Sequence, residues 1–306
     1  MKNISPSDLT IRKIPFDFTD VAFMWNPSMP DFSVQMNALS FWLLGFERYI
    51  IKAFSEAEAL LQDEAIIAEA IAMKEQEAQH SLNHRRHVMA LIERYPELKS
   101  TLNRIYELYD NLYEQESLKF HLAYIANFEG ITPPLAKFLI ENRSTLFAQG
   151  DARVGSLLLW HFIEELEHRS SAKIVYDAIV PNPWYRMSTS LKTMTHIERG
   201  FNLVYADFFR YVPAADLAPL THLSTQRFLT SRLAKFFIPS SLVMASAKMW
   251  FSVLTTAFPY HNPANFEMPD WVEKWYQGER QGEDMTSFYG QKPTQKKLHK
   301  ELSSSL

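Results

Sequence analysis

The sequence predicts an all-α protein, organised as a four-helix bundle with additional helices toward the C-terminus. Apolar residues recur every three or four positions through several long segments, which is the spacing of a buried helix face. No segment shows the strict alternation of apolar and polar residues that is typical of a half-buried strand. The chain has 306 residues, 47% of them hydrophobic, so it can bury a large core and lies near the upper size of a single domain.

Four regions follow one another along the chain. Prolines among aromatic residues predict an irregular N-terminal arm, and the polar, charged end of the sequence predicts an irregular tail. Between them, the helical periodicity continues from a bundle into a more aromatic, less regular segment whose helices pack on that bundle. The predicted bounds are 1–33 for the arm, 34–180 for the four-helix bundle, 181–260 for the additional helices and 261–306 for the tail.

The helices of the bundle are bounded by residues that start or stop helices. Ser33 or Asn37 is a candidate cap for the first helix, and Asp151 for the last. Pro133 and Pro134 predict a kink or a break after the third helix. Helices are predicted over roughly 34–59, 63–95, 97–130 and 151–180, and then near 186–212, 223–237 and 240–258.

Composition excludes several classes of site. Acidic and basic residues are mixed throughout and the formal net charge is -4, so we expect no nucleic-acid partner. The chain has no cysteine, which excludes disulfides, zinc–thiolate sites, iron–sulfur clusters and thiol nucleophiles. Any metal ion must then be held by histidine and carboxylate side chains, a ligand set that suits iron, manganese or zinc.

Neither export nor a membrane span is predicted. Residues 1–15 are polar and lack the apolar core of a signal peptide, so a cytoplasmic location is expected. The most apolar window, 236–258, is interrupted by Pro239, Lys248 and several hydroxyl side chains. We therefore predict a buried helix there, and contact of this helix with a membrane surface or a partner stays open.

The most distinctive stretch lies in the last helix of the predicted bundle. At 100° per residue, His161, Glu165 and His168 project within an arc of about 60°, on one face of one helix. Polar groups among apolar neighbours need partners, and a metal ion is a common one. The alternative is a solvated charged face, because Glu164 and Glu167 lie in the same stretch.

The second predicted helix carries a similar pattern. Glu77, His80 and His84 again fall within about 60° of arc. One Glu-x-x-His is a weak signal for a metal site, since the spacing arises easily by chance. Two of them, Glu77 with His80 and Glu165 with His168, on two separate long helices are much harder to attribute to chance.

Two further carboxylates lie in apolar segments. Glu47 has apolar neighbours in the first helix, although a surface ion pair with Arg48 or Lys52 is the ordinary alternative. Glu129 lies at the end of the apolar segment that precedes the two adjacent prolines. Both are candidates for side chains that point into the bundle.

Together these residues have the composition of a di-metal site between four helices. Such sites take one glutamate from each of two helices and Glu-x-x-His from each of the other two, all facing inward. At that spacing the glutamate can bridge two metal ions while the histidine binds one of them. Four buried carboxylates balance two divalent ions and would repel one another without them. The candidate ligands are Glu47, Glu77, His80, Glu129, Glu165 and His168, with His84 and Glu164 as candidates for contact with a ligand side chain.

The ligand order in an all-helical chain resembles the ferritin-like di-iron superfamily. Several motifs narrow this resemblance: Asn37-Ala38-Leu39-Ser40, Gly45-Phe46-Glu47-Arg48, Gln76-Glu77-Ala78-Gln79-His80 with His84, Trp160-His161 leading to Glu164-Glu165-Leu166-Glu167-His168, and Ala257-Phe258-Pro259-Tyr260-His261-Asn262-Pro263. With these motifs, the chain over about residues 12–265 resembles a bacterial family labelled predicted metal-dependent hydrolases. Phe46 stands where this family has a glycine before the first glutamate, and Asn262 interrupts its His-Pro pair, but neither change removes a candidate ligand.

His161 adds a third histidine to this pattern. The spacing of His161, Glu165 and His168 is similar to that of a helix in the aryl-amine N-oxygenase branch of the di-iron proteins, where the extra histidine is a metal ligand. The resemblance therefore implies that His161 is a seventh ligand. The alternative is that His161 donates a hydrogen bond to a ligand carboxylate.

The superfamily resemblance implies a non-haem di-iron oxygenase or oxidase. Such an enzyme would hold two iron ions, with manganese or zinc as alternatives, and would use dioxygen and an electron donor to oxidise a small organic substrate. The first alternative is a metal-dependent hydrolase, in which paired metal ions activate a water molecule. It ranks second because the sequence has no phosphate-binding loop, glycine-rich turn or serine nucleophile elbow. A metal-binding or storage protein is the third interpretation, while homo-oligomers and a role for His261 stay open.

Overall fold

The computed structural model describes residues 9–221 and 242–289. Every regular element in these two ranges is a helix, so the all-α prediction is confirmed for the described part of the chain. The helices, numbered in chain order, are α1 (Pro30–Glu58), α2 (Glu64–Arg94), α3 (Leu98–Gln115), α4 (Leu118–Glu141), α5 (Arg143–Leu146), α6 (Ala152–Glu167), α7 (Ser171–Ile179), α8 (Pro183–Tyr211), α9 (Val243–Thr256) and α10 (Asp270–Arg280), with a 3₁₀ turn over Pro263–Asn265 between the last two.

Helix α1 begins before the predicted caps at Ser33 and Asn37. Its first residue is Pro30, and Met29 precedes it as an N-cap without a capping side chain. Proline suits the first turn of a helix, where its fixed φ is favourable and its missing N–H is not needed. Ser33 instead accepts from the backbone N–H of Asn26, at 2.9 Å, and ties the arm to the helix.

The third predicted helix, roughly 97–130, is two helices. It divides between α3 and α4 at Glu116 and Ser117. The hydroxyl of Ser117 accepts from the backbone N–H of Phe120 and caps α4. A serine in this role offers the backbone an alternative to the continuing helical hydrogen bonds, so the helix restarts there.

Of the kink or break predicted at Pro133 and Pro134, the break is wrong, because α4 continues through both prolines to Glu141. An interior proline leaves the carbonyl four residues earlier without an N–H partner. For Pro133 that carbonyl belongs to Glu129, and the hydroxyl of Thr132 donates to it at 2.9 Å. This local replacement keeps the helix intact and places Glu129 directly at the proline segment.

The last helix of the predicted bundle, 151–180, is also divided. Asp151 caps α6 as predicted and accepts from the backbone N–H of Arg153. The helix ends at Glu167, His168 is its C-cap, and α7 begins at Ser171. At this boundary Ser170 makes no side-chain capping bond, and the hydroxyl of Ser171 donates to a carboxylate oxygen of Glu69 on α2. One unbroken helix is therefore wrong, although the candidate ligands at the end of α6 stay within one turn of each other.

Helices α1, α2, α4 and α6 pack around one interior. α1 lies along α2 and α4 lies along α6, while α1 also contacts α4 and α2 contacts α6. α3 packs on α1, and α7, α8 and α9 pack on α4. Gly45 allows α1 to approach α3, since a Cβ atom there would lie 2.7 Å from side-chain atoms of Ile105 and Tyr109. This close approach holds α1 against its neighbour two residues before Glu47.

The N-terminal arm packs onto the helices, as expected. The ring of Phe16 lies 5.7 Å from that of Trp160, and the ring of Phe18 lies 5.1 Å from that of His87, measured between centroids. All four side chains are buried. The described part of the arm, residues 9–29, therefore contributes to the core beside α2 and α6.

The C-terminal part is more regular than predicted. α9 corresponds to the helix predicted at 240–258, whereas the helix predicted at 223–237 lies outside the described residues. The prediction of an irregular tail over 261–306 is wrong for α10, whose Val272 and Trp275 are buried. Residues 290–306 lie outside the described ranges.

No helix within the described residues combines the length and apolar character needed to cross a membrane. The first residues of the apolar window 236–258 lie outside those ranges, and most of the remainder forms α9. Met249 and Val253 of α9 are buried. A helix is therefore confirmed for the described part of this window, but the prediction that it is buried is wrong, because Met244, Phe251 and Leu254 are exposed.

Candidate metal centre

The seven candidate ligands come together between α1, α2, α4 and α6. None of them exposes more than 3% of its surface. The surface alternative for Glu47 is wrong, because this residue is fully buried. The ligands are Glu47 from α1, Glu77 and His80 from α2, Glu129 from α4, His161 and Glu165 from α6, and His168 from its C-cap.

Two overlapping groups of donor atoms have the size of metal-binding sites. Within each group the atoms lie within 4.8 Å of one another. Donors about 2.1 Å from a shared ion lie up to about 4.2 Å apart, so small side-chain adjustments close either group around an ion. Glu77 belongs to both groups and lies between them. One group comprises Glu77, Glu129, Glu165 and His168, and the other comprises Glu47, Glu77 and His80.

The two ring nitrogens of His161 have different neighbours. It forms one group with His80 and Glu165 and another with Glu47 and His84. Its Nε2 lies 3.0 Å from Oε1 of Glu165, and its Nδ1 lies 4.0 Å from Oε1 of Glu47. This geometry fits both alternatives left by the sequence, a metal ligand through Nε2 and a hydrogen-bond donor to Glu165.

Several buried atoms of the cluster have no hydrogen-bond partner of normal geometry. An unpaired buried polar group costs about 1–3 kcal/mol, and more when it is charged. All of these atoms are carboxylate oxygens or imidazole nitrogens, which bind metal ions in proteins. The residues present therefore fit a metal ion. The atoms are both carboxylate oxygens of Glu47, Oε1 of Glu77, Nδ1 of His80, Oε2 of Glu129, Oε2 of Glu165 and Nε2 of His168.

Hydrogen bonds on the far side of two histidines fix the orientation of their rings. Nε2 of His80 donates to Oε2 of Glu164 at 2.9 Å, and Nδ1 of His168 donates to Oε1 of Gln76 at 3.0 Å. Each ring then turns its unpartnered nitrogen toward the carboxylates. Metal-binding histidines usually donate their second N–H in this way. Glu164 thus contacts a candidate ligand, as predicted.

His84 supports the cluster from behind His161. Its Nε2 lies 3.0 Å from Nδ1 of His161, and its Nδ1 lies 3.0 Å from Oγ of Ser40. The same hydroxyl lies 3.2 Å from Nδ1 of His87. Both His84 and His87 are fully buried. The three histidines and Ser40 form a hydrogen-bonded chain that leads from the cluster to the arm at Phe18.

The cluster lies inside the part of the chain that matches a known family. The family model, described as predicted metal-dependent hydrolase, matches residues 10–263. The chain belongs to this family. No curated protein and no solved structure matches the chain. The family description agrees with a metal-dependent enzyme and with the hydrolase alternative, and it gives no support to the oxygenase interpretation.

Burial and neighbouring side chains together shift the pKa values of the carboxylates in the cluster. Burial and the neighbouring Glu77 raise the pKa of Glu47 well above that of an exposed glutamate. Burial and Glu165 do the same to the pKa of Glu129. Burial alone would also raise the pKa of Glu165, but the adjacent histidines, above all His168, hold it well below the usual range. The protein groups by themselves therefore favour the charged form of Glu165 and the protonated forms of Glu47 and Glu129.

The histidines of the cluster differ in their partners. Burial opposes the charged form of His80. The hydrogen bond to Glu164, together with the nearby carboxylate of Glu77, outweighs burial and raises the pKa of His80 to about 10. Burial likewise opposes the charged form of His168, and Glu165 outweighs it and raises the pKa of His168 well above its usual value. Burial and the adjacent His80 lower the pKa of His161, so this ring is neutral.

Metal uptake is expected to release protons. The pKa values of Glu47, Glu129, His80 and His168 are raised, so a metal ion competes with a proton at each of these side chains. The apparent metal affinity should therefore increase as the pH rises through neutrality and decrease as it falls. Calorimetric titration in buffers of different ionisation enthalpy counts the released protons. An identical binding heat in every buffer would contradict the assignment of these four residues.

Gln76 and Ser40 contact the cluster but were missed in the sequence. Gln76 bonds to His168, and Ser40 bonds to His84. Both residues lie in motifs of the family resemblance, but their residue types alone assigned them no contact with the cluster. Their partners lie on other helices, so spacing within one helix cannot identify them.

Other histidines of the described ranges lie outside the metal-binding groups. His121 bonds to the hydroxyl of Tyr49 at 2.9 Å, and His196 bonds to that of Tyr124 at 3.0 Å. His261 is half-buried, and burial and the positive charge of Arg186 lower its pKa. The late motif that contains His261 therefore contributes no ligand to the cluster.

Proposed function

We propose that this chain is a hydrolase that holds two divalent metal ions between α1, α2, α4 and α6, in a ferritin-like arrangement of these helices. The proposal is carried by the unpartnered carboxylate oxygens and imidazole nitrogens that face one another in this interior. The family description supports hydrolysis as the reaction class. The proposed substrate is a small molecule with a carbonyl or phosphoryl group.

Glu77 and Glu165 are the proposed bridging side chains. Each belongs to two of the donor groups, so each can contribute an oxygen to either ion. The other candidates divide between the two ions according to their groups. The proposed ligands of one ion are Glu47, His80 and His161, and those of the other are Glu129 and His168.

The protein's contribution to the reaction is to orient donors and exclude water. A bound metal pair would lower the pKa of a water molecule and polarise the substrate bond to be cleaved. Glu164 and the ring of Trp160, 5.0 Å from that of His80 between centroids, fix His80 on two sides. Gln76 fixes His168 in the same way. Because these contacts exist before any substrate arrives, the donor atoms need little reorganisation during the reaction.

A second candidate function is dioxygen-dependent oxidation of a small molecule, with an iron pair and an external electron donor. One observation favours it. Four carboxylates and two Glu-x-x-His histidines drawn from four helices match the ligand composition of di-iron and di-manganese carboxylate proteins. His161, as a third imidazole in the cluster, supports the resemblance to aryl-amine N-oxygenases.

Loading the protein with one metal at a time distinguishes the two functions. Zinc does not change its oxidation state, so zinc-loaded protein can hydrolyse but cannot activate dioxygen by redox chemistry. We expect the zinc form to cleave ester, amide or phosphoester probes, and Glu165→Ala to remove that activity. If the zinc form is inactive, and only the anaerobically reduced iron form consumes dioxygen with a transient visible absorption, the oxidase is correct and the hydrolase proposal is wrong.

A further inference from the structure

A buried arginine lies directly behind the candidate metal centre. Arg12, in the N-terminal arm, exposes 8% of its surface. Its Nη1 donates to Oε1 of Glu164 and to Oε2 of Glu167, both at 2.9 Å, and its Nη2 lies 2.9 Å from Oε1 of Glu167. A guanidinium can hold two carboxylates at once because its donors are arranged in a rigid planar fork.

Each of these glutamates leads to a different candidate ligand. Glu164 accepts from Nε2 of His80 at 2.9 Å. Glu167 accepts from the side-chain amide of Gln76 at 3.0 Å, and Gln76 in turn accepts from Nδ1 of His168 at 3.0 Å. Arg12 is therefore connected to His80 through Glu164 alone. It is connected to His168 through Glu167 and Gln76.

Helix α10 closes this network on the outside. Nε of Arg12 donates to Oε1 of Glu279 at 2.6 Å, and the hydroxyl of Tyr276 donates to Oε1 of Glu167 at 2.8 Å. The guanidinium carbon lies 5.2 Å from the ring centroid of Trp275. α10 follows residue 263, where the family match ends. The contacts around Arg12 thus include side chains outside the matched part of the chain.

The charge of Arg12 is maintained despite its burial. Burial opposes the charged form, but hydrogen bonds and attraction to Glu167 and Glu164 outweigh it and raise the pKa of Arg12. Glu164 is fully buried, and its two carboxylate oxygens contact Arg12 on one side and His80 on the other.

We propose that Arg12 is a positioning residue of the metal centre. It holds Glu164 and Glu167 so that Nδ1 of His80 and Nε2 of His168 face the metal ions at the same time. The inference rests on the proposed metal pair and is independent of the reaction that the pair supports. It gives the arm and α10 a role in metal binding, although neither supplies a ligand.

Arg12→Met tests this role, because it removes the charge and the fork but keeps much of the apolar stem. Loss of a residue that orients a metal-binding side chain typically weakens metal affinity about 10- to 100-fold. We expect a loss in this range for Zn²⁺, measured by competition with a chelating dye. Arg12→Lys keeps the charge without the fork and should show a smaller loss in the same direction. If Arg12→Met does not fold, Arg12→Lys carries the test.

Arg153→Met is the matched control. Arg153 anchors the same arm, since it donates to the carbonyl oxygens of Asp17 and Thr19, and it also pairs with Asp151, the cap of α6. It makes no contact with the network around Arg12. We expect Arg153→Met to bind Zn²⁺ with wild-type affinity. Equal losses in the two variants would mean that Arg12 only docks the arm, which would overturn the proposal.

A positioning role also predicts coupling between Arg12 and Glu164. In Glu164→Gln the route to His80 is already weakened, so adding Arg12→Met should reduce affinity by a smaller factor than in the wild type. Equal factors in both backgrounds, or wild-type affinity in Arg12→Met or Arg12→Lys, would overturn the proposal. A wild-type protein that binds no metal would instead overturn the proposed metal pair itself.

Discussion

Glu165→Ala and Glu77→Ala are each expected to abolish the binding of both metal ions. Each glutamate belongs to two of the donor groups, so its loss removes an oxygen from both ions at once. The helices should still form, because α2 and α6 also bury apolar faces against their neighbours. Elemental analysis after dialysis should give about two ions per wild-type chain and almost none for either variant, while circular dichroism shows retained helix content.

Glu75→Ala is the matched control for these variants. Glu75 is exposed, lies on α2 two residues before Glu77, and belongs to none of the donor groups found among the described residues. Its replacement should leave both ions bound. Retention of both ions by Glu165→Ala would show that the bridging position is assigned to the wrong residue.

Removal of the metal ions should lower the thermal unfolding temperature by about 10 °C. Each ion stabilises the folded protein by about 2.7 kcal/mol when its free concentration is a hundred times its dissociation constant. For a chain of this size, 1 kcal/mol corresponds to about 2 °C. Without the ions, Glu47 and Glu129 must hold protons or face neighbouring negative charges. Scanning calorimetry with and without a chelator measures the difference.

The Glu165→Ala variant provides the control for this measurement. Because it binds no ions, its unfolding temperature should not respond to the chelator. A wild-type unfolding temperature that is the same with and without chelator would contradict a metal pair in the core.

The ligand pairs were predictable because helix geometry alone places them. Glu77 with His80, and Glu165 with His168, are three residues apart, so any helix over these segments puts each pair on one face. The structure brings the two faces together. Even the unpredicted end of α6 leaves His168 close enough to Glu165, with Nε2 3.2 Å from Oε2. Local spacing was sufficient here.

The interruptions of the helices were not predictable from periodicity. Pro133 suggests a break, yet Thr132 supplies the hydrogen bond that the proline cannot. The boundary at His168 carries neither proline nor glycine, so the periodic pattern predicts a helix that continues past it. Both outcomes depend on single side-chain hydrogen bonds or on tertiary packing, which override local preference.

The contacts that orient the ligands could not be derived from residue spacing, although Glu164 was a candidate for contact with a ligand. Arg12 and Glu164 are separated by 152 residues, and Gln76 and His168 by 92, so no spacing within one helix connects them. The ligand pattern does not determine the reaction class either. Histidine and carboxylate ligands serve both redox-active and hydrolytic metal ions, and only the family match favoured hydrolysis.

Anomalous scattering from crystals of the metal-loaded protein, recorded on both sides of the absorption edge, tests most directly for a buried metal pair. We expect two peaks between α1, α2, α4 and α6, about 3.5–4 Å apart. One should lie next to His80 and the other next to His168, with Glu77 and Glu165 between them. If crystals grown from protein with bound metal show no peak in this interior, or show peaks only at the protein surface, the metal centre is wrong.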